Sequence, residues 1–213
     1  HYDLRYLTVK AALKAFSFNR LSDVFLLLVI VIQYTKNGSF YIGSGGITES
    51  YFTNLCFMSV LLLILASFIK SAQLFFFFWL PDSMEAPIPA SALIHSATLV
   101  SAGVYLMIRI RYDLLMWPIL CNFILIVSSL TIFIFTPLIV FQTDLKRLLA
   151  LSTIVNISFL YIMVVLLNSK YVCYYFIVHG FFKSCSFLLL GFFITLNKHS
   201  QDYRSFNLVI SNV

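Results

Sequence analysis

Four basic side chains of this sequence sit inside apolar runs: Lys70, His95, His179 and Lys183. Imidazole titrates closest to neutrality of the side chains, and an amine partly withdrawn from water can stand neutral or charged. These are the groups of proton transfer, and an ionisable residue at bilayer depth is costly enough to mark a functional position. His179 and Lys183 are four residues apart in VCYYFIVHGFFKSCSFLLLGFFITL. On a helix that spacing stacks both on one face, near the middle of the span and too deep for Lys183 to snorkel easily. This pair is the strongest purely physical signal in the chain.

The other candidates carry two readings each. Lys70 lies within IKSAQ, followed by a break at Pro81, Pro87 and Pro89. Either the helix is interrupted there, lining a wet, protein-enclosed cavity, or it runs on, tilted, with Lys70 snorkelling to an interface. His95 is either a proton relay or a packing residue satisfied among Ser91, Ser96, Thr98 and Ser101, whose small hydroxylic flank suits close helix contact. Arg20 and Asp23 are three residues apart and need one another or a partner helix in lipid. Asp144 reads as a helix N-cap, and Lys146 just after it either snorkels or joins a relay.

Composition fixes the setting. Of 213 residues, 61% are hydrophobic and 10% charged, against about 25% charged in soluble domains, with a mean hydropathy of +0.97. The formal net charge of +6 would suggest nucleic acid in a soluble protein. Here the cations lie in apolar runs or short loops, where anionic lipid headgroups and positive-inside bias explain them, so no nucleic-acid partner is expected. Cys56, Cys121, Cys173 and Cys185 lack close spacing and read as small core hydrophobes rather than metal ligands.

The elements that must position these groups follow from the ruler of about 20 apolar residues per span. It finds six transmembrane segments in an all-α membrane domain, about 9–35, 51–80, 90–109, 115–141, 144–167 and 172–196. The second is longer than a straight crossing needs. A glycine-containing turn region joins the first two, from Lys36 to Ser50. Six crossings put both ends on one side. That side carries Arg5, Lys10, Lys14, Lys146, Arg147, Lys198 and Arg204, which places it in the matrix or cytoplasm.

The stretch KSAQ followed by WLPDSMEAPIPASALIHSATLVSAGVYLMIR resembles the signature of the antiporter-like membrane subunits of respiratory complex I, of the mitochondrial chain 5 or bacterial subunit L type. KAFSFNRLSD, DLKRLLALST, HGFFKS and HSQDYR agree in order and spacing. The resemblance implies a fold of inverted repeats with discontinuous helices and a polar axis at mid-membrane. It aligns Lys70 with the family's central lysine, His95 with its connecting histidine, and Lys183 with a further relay lysine beside His179. Lys146 matches the lysine heading the next helix, and Asp23 with Arg20 match the paired charges near the central lysine. Two departures stand out: Val155, Asn156, Ile157 and Ser158 replace the family's Ser-Gln-Leu-Gly, and Gly180 replaces an alanine.

What the resemblance implies for function is proton translocation by a Lys/His/water relay, as a subunit of the proton-translocating NADH:ubiquinone reductase of the mitochondrial inner membrane. No cofactor is expected in this chain, with flavin, iron–sulfur clusters and quinone elsewhere in the complex. Other membrane-arm subunits and lipids are the implied partners. The family's Gly-Trp-Glu segment and second broken helix have no counterpart in the sequence. The expectation is therefore a middle portion, either of a subunit split over several chains or of a shortened record. A non-conducting membrane module and a subunit of a cation/proton antiporter are the alternatives.

Overall fold

The structure, a computed structural model, describes residues 5–37, 56–196 and 201–206, without the side chains of Asn37, Ile88, His95, Ser96, Ala97, Ser205 and Phe206. Most of the connection expected from Lys36 to Ser50 falls outside the described residues, as do Lys198 and His199. What is described is helical, without named strands. The helices are α1 (Tyr6–Asn37), α2 (Phe57–Lys70), α3 (Trp79–Asp82), α4 (Ile88–Ala92), α5 (Leu99–Arg109), α6 (Arg111–Leu115), α7 (Pro118–Val140), α8 (Leu145–Leu166) and α9 (Ser169–Leu196). A 3₁₀ turn occupies Ser83–Glu85, and a π-helical stretch, Leu93–Thr98, joins α4 to α5.

Four of these, α1, α7, α8 and α9, are long and apolar enough to cross a membrane, while α2 and α5 are shorter apolar helices. Their outward faces are apolar too: Phe133 is 78% exposed and Phe181 75%. Large aromatic surface at that exposure is stable against lipid or neighbouring apolar helices, not water. The chain is a multi-pass membrane protein.

The helices pack in a chain of neighbours. α1 lies on α2, α2 on α5, α5 on α8 and α9, and α8 between α7 and α9, while α4 and the π stretch rest on α9. At one end, Arg5 pairs with Glu85, Lys14 with Asp82 and Arg147 with Asp144. The tail returns there, with Leu145 N–H bonded to the Gln201 carbonyl at 3.1 Å and Tyr203 N–H to that of Thr143 at 3.3 Å. Asp144 holds the N-cap position of α8, but its carboxylate makes no cap bond. It sits 3.4 Å from Arg147 Nε instead.

The third expected segment is helical throughout but not uniformly α. Pro87 and Pro89 start α4 in a first turn where a missing N–H costs nothing, and the π stretch then widens the helix before α5 resumes at Leu99. Thr98 Oγ1 donates to the Leu93 carbonyl at 2.8 Å, five residues back, supplementing the looser ladder.

Helix α2 ends at Lys70, after 14 residues, so the interrupted reading of the second segment holds over the unbroken tilted one. The stop has a recognisable architecture. Gln73 N–H bonds to the Phe68 carbonyl at 3.0 Å and Ala72 N–H to that of Ile69 at 3.2 Å, the paired contacts of a Schellman cap. Such a cap needs a left-handed residue, and Ala72 supplies it with φ 52°. Glycine is the usual occupant because a Cβ in that region is strained. The sequence therefore marks an interruption but hides the residue that makes it, and the cap is held by side chains around it: Trp79 Nε1 donates to the Ile69 carbonyl at 3.2 Å, and Thr131 Oγ1 to Gln73 Oε1 at 3.4 Å.

Ala72 is fully buried, which sets opposite expectations for two substitutions. Ala72→Gly, free of left-handed strain, should stay within about 1 kcal/mol of the parent. Ala72→Val, β-branched and overpacked, should cost roughly 1–3 kcal/mol. Thermal unfolding of the purified protein in detergent reads both, and equal Tm values for the two would remove the strain account.

Candidate proton-transfer site

Ending a helix at Lys70 puts its amine where two attractions meet. The last-turn carbonyls carry the negative end of the helix dipole, which favours a cation. Across the gap, α1 presents Asp23, whose Oδ1 lies 3.1 Å from Lys70 Nζ. Both side chains remain partly open, 24% exposed for Lys70 and 43% for Asp23, so the pair is neither sealed nor fully solvated. Arg20, expected beside Asp23, instead lies over the ring of Phe16, 5.0 Å from its centroid. The carboxylate is thereby left to Lys70.

The second amine is set differently. Lys183 is 4% exposed on α9 and donates to Ser152 Oγ of α8 at 2.6 Å. Ser152 in turn donates to the Leu149 carbonyl at 2.7 Å, the ordinary back-bond of a helical serine. Among the described residues no carboxylate pairs with Lys183. His179, one turn away on the same buried face, is 6% exposed, and its Nε2 has no hydrogen-bond partner. A buried ring nitrogen without a partner is the kind of group that takes a water in a wet bundle.

Lys146 does not snorkel to a surface. At 6% exposure it turns inward from the head of α8 and donates to the Ala86 carbonyl at 3.3 Å, just past the acidic turn. A cavity lined by Lys10, Lys14, Asp82, Glu85 and Arg147 opens at the same end. His95 lies in the π stretch that packs on α9, with its side chain outside the described atoms. The structure thus brings Asp23 to Lys70, Lys183 to Ser152 and Lys146 to the acidic turn. Arg20 does not join an ion pair with Asp23.

Sequence reading missed Ser152, Ser71 and Tyr161. Ser152 left a faint signal: it lies in the LLALST run that opens α8. Ser71 adjoins Lys70 and was legible only as one member of a polar cluster. Tyr161 left none, being one more aromatic among 12 tyrosines and 23 phenylalanines.

The chain is 43% identical over 208 residues to NADH-ubiquinone oxidoreductase chain 5 of Paramecium tetraurelia, covering 92% of this chain and 36% of that protein. It is 39% identical to NADH-quinone oxidoreductase subunit L of Buchnera aphidicola, covering 94% of this chain and 33% of that protein. With subunit L of Escherichia coli the identity is 35%, over 90% and 32%. The chain therefore spans about a third of the length of these relatives. Among solved structures, a chain in the Mrp complex from Dietzia sp. superposes with a TM-score of 0.74 at 27% identity, over 85% of this chain and 21% of that one. The family model described as NADH:quinone oxidoreductase/Mrp antiporter, transmembrane, matches residues 3–211. By that match the chain belongs to this transmembrane family.

Proposed function

We propose that this chain carries protons within the membrane arm of respiratory complex I, in the mitochondrial inner membrane, alongside other membrane-arm subunits. The observation that carries the reading is Lys183: an amine buried in a membrane bundle and held by a serine hydroxyl rather than a carboxylate. Among the described residues no ion pair locks its charge, so it can take up a proton and pass it on. Lys70 is the complementary element. Its counter-ion is Asp23, 3.1 Å away. Parting and rejoining that pair is the proposed step by which a proton is released and loaded. His179 sits where a water-mediated step to or from Lys183 is geometrically simple. His95, on the π stretch against α9, is the proposed connection between the two lysines, and Lys146 beside the acidic cavity is proposed to meet water at one face.

The driving energy belongs to redox chemistry in partner subunits. No residue of this chain is assigned to flavin, iron–sulfur clusters or quinone. A second reading, a subunit of a multi-subunit cation/proton antiporter, draws on the likeness to the Mrp chain. Co-purification with NADH-oxidising activity favours the first, and purification in a complex lacking that activity favours the second.

In vesicles containing the assembled complex, Lys183→Ala and Lys70→Ala should each lower NADH-driven proton transport at least about a hundredfold, the lower end of what a positioned proton-transfer group contributes. Unchanged transport in either variant would sink the relay. Ser152→Ala leaves the Lys183 amine without its acceptor, an expected cost of roughly 1.5–3 kcal/mol. It should alter the pH profile of transport, whereas Ser152→Thr, which keeps the hydroxyl, should restore it.

A further inference from the structure

Immediately after Lys70, three oxygen atoms from two helices close on one another. Tyr161 Oη lies 2.8 Å from Ser71 Oγ and 3.1 Å from the Ser67 carbonyl oxygen. Ser71 Oγ is itself 2.7 Å from that carbonyl. Two hydroxyl protons thus serve three oxygen–oxygen contacts, one reaching the carbonyl and the other free to link the hydroxyls. The same carbonyl also receives Ser71 N–H at 2.9 Å. Tyr161 is fully buried, and its ring meets Phe68 edge-on, with centroids 5.3 Å apart at 85°.

The triangle is possible because Gly103 of α5 lies beside it. A Cβ there would fall 2.6 Å from the Ser67 carbonyl oxygen, 3.0 Å from Tyr161 Oη and 3.2 Å from Ser71 Cβ. The first is closer than real Cβ atoms approach, and backbone at the end of a helix cannot yield cheaply. The missing side chain leaves the opening through which a residue of α8 reaches α2.

We infer that Tyr161 is a positioning residue for Lys70: its hydroxyl, through Ser71 and the Ser67 carbonyl, fixes the strained end of α2 so that the lysine amine reaches Asp23. Hydrophobic packing would be served equally by phenylalanine. What the hydroxyl adds is a tie from α8 to the turn carrying the left-handed Ala72. Because α8 also carries Ser152, the acceptor of Lys183, one rigid helix touches the surroundings of both lysines. The inference rests on the relay reading for its functional consequence, but its structural part stands apart.

The test uses the assembled complex with Tyr161→Phe, Ser71→Ala and the double variant. Hydrogen exchange at the Ala72 and Gln73 amides, the two that close the cap, should rise about threefold to tenfold in Tyr161→Phe, the worth of one hydrogen bond. Unchanged exchange would overturn the tie whatever happens to transport. The pH profile of proton transport should shift in Tyr161→Phe, and the same substitution on an Asp23→Asn background should produce no further shift, because the effect runs through the ion pair. A shift that persists without the Asp23 carboxylate overturns the positioning role. The double variant should lose less than the sum of the two single ones, since both remove the shared Tyr161–Ser71 contact, and fully additive losses count against it. If Lys70→Ala leaves transport intact, the relay reading fails while amide exchange still decides the tie. Gly103→Ala should produce the same exchange signature as Tyr161→Phe by forcing the triangle apart.

Discussion

A lysine at the last residue of a prematurely ended helix is the constraint to which the surrounding structure answers. In a bilayer, backbone carbonyls released by an interrupted helix must find donors inside the protein. Here they find them in the Schellman pair, in the Trp79 indole and in the hydroxyls of Ser71 and Tyr161. Each donor comes from within the break or a neighbouring helix. The break is thus a shared construction of α2, the segment after it and α8. Its product is one amine aimed at one carboxylate of α1.

The two lysines contrast in a way that suits sequential proton handling. Lys70 has a counter-ion, 3.1 Å away on another helix, and partial exposure. Lys183 has a hydroxyl and near-complete burial, so its state depends on what arrives. Between them stands α8, buried on several sides, with Ser152 turned toward α9 and Tyr161 toward the end of α2. An interior helix bonded on both flanks moves as a unit if it moves at all.

Much of this was legible in residue types. Lys70, Lys183 and His179 stood out because charge and imidazole are rare inside apolar runs, and the four-residue spacing of the latter pair needs only helix periodicity to put them on one face. The helices α7, α8 and α9 follow from uninterrupted apolar length. Position-specific pairing was not legible. Arg20 and Asp23 are helix neighbours, yet the carboxylate is taken by Lys70 from another helix, and Arg20 turns to Phe16. Lys146 looked like a snorkelling residue, but the bend at Ser83–Ala86 brings a free carbonyl within its reach. The interruption after Lys70 was one of two readings, but the stop carries no glycine to fix it at Ala72, and the π stretch carries no composition of its own to set it apart from an ordinary helix.

The π stretch has one consequence of a different kind. A wide turn accommodates a surplus residue locally while the helix beyond it keeps its original facing. Removing one residue from Leu93–Thr98 would let that turn relax to ordinary α geometry with Gly103 still presented to α2. The widening that carries His95 and the close approach on which the broken helix depends are therefore mechanically separable, although they occupy one continuous rod.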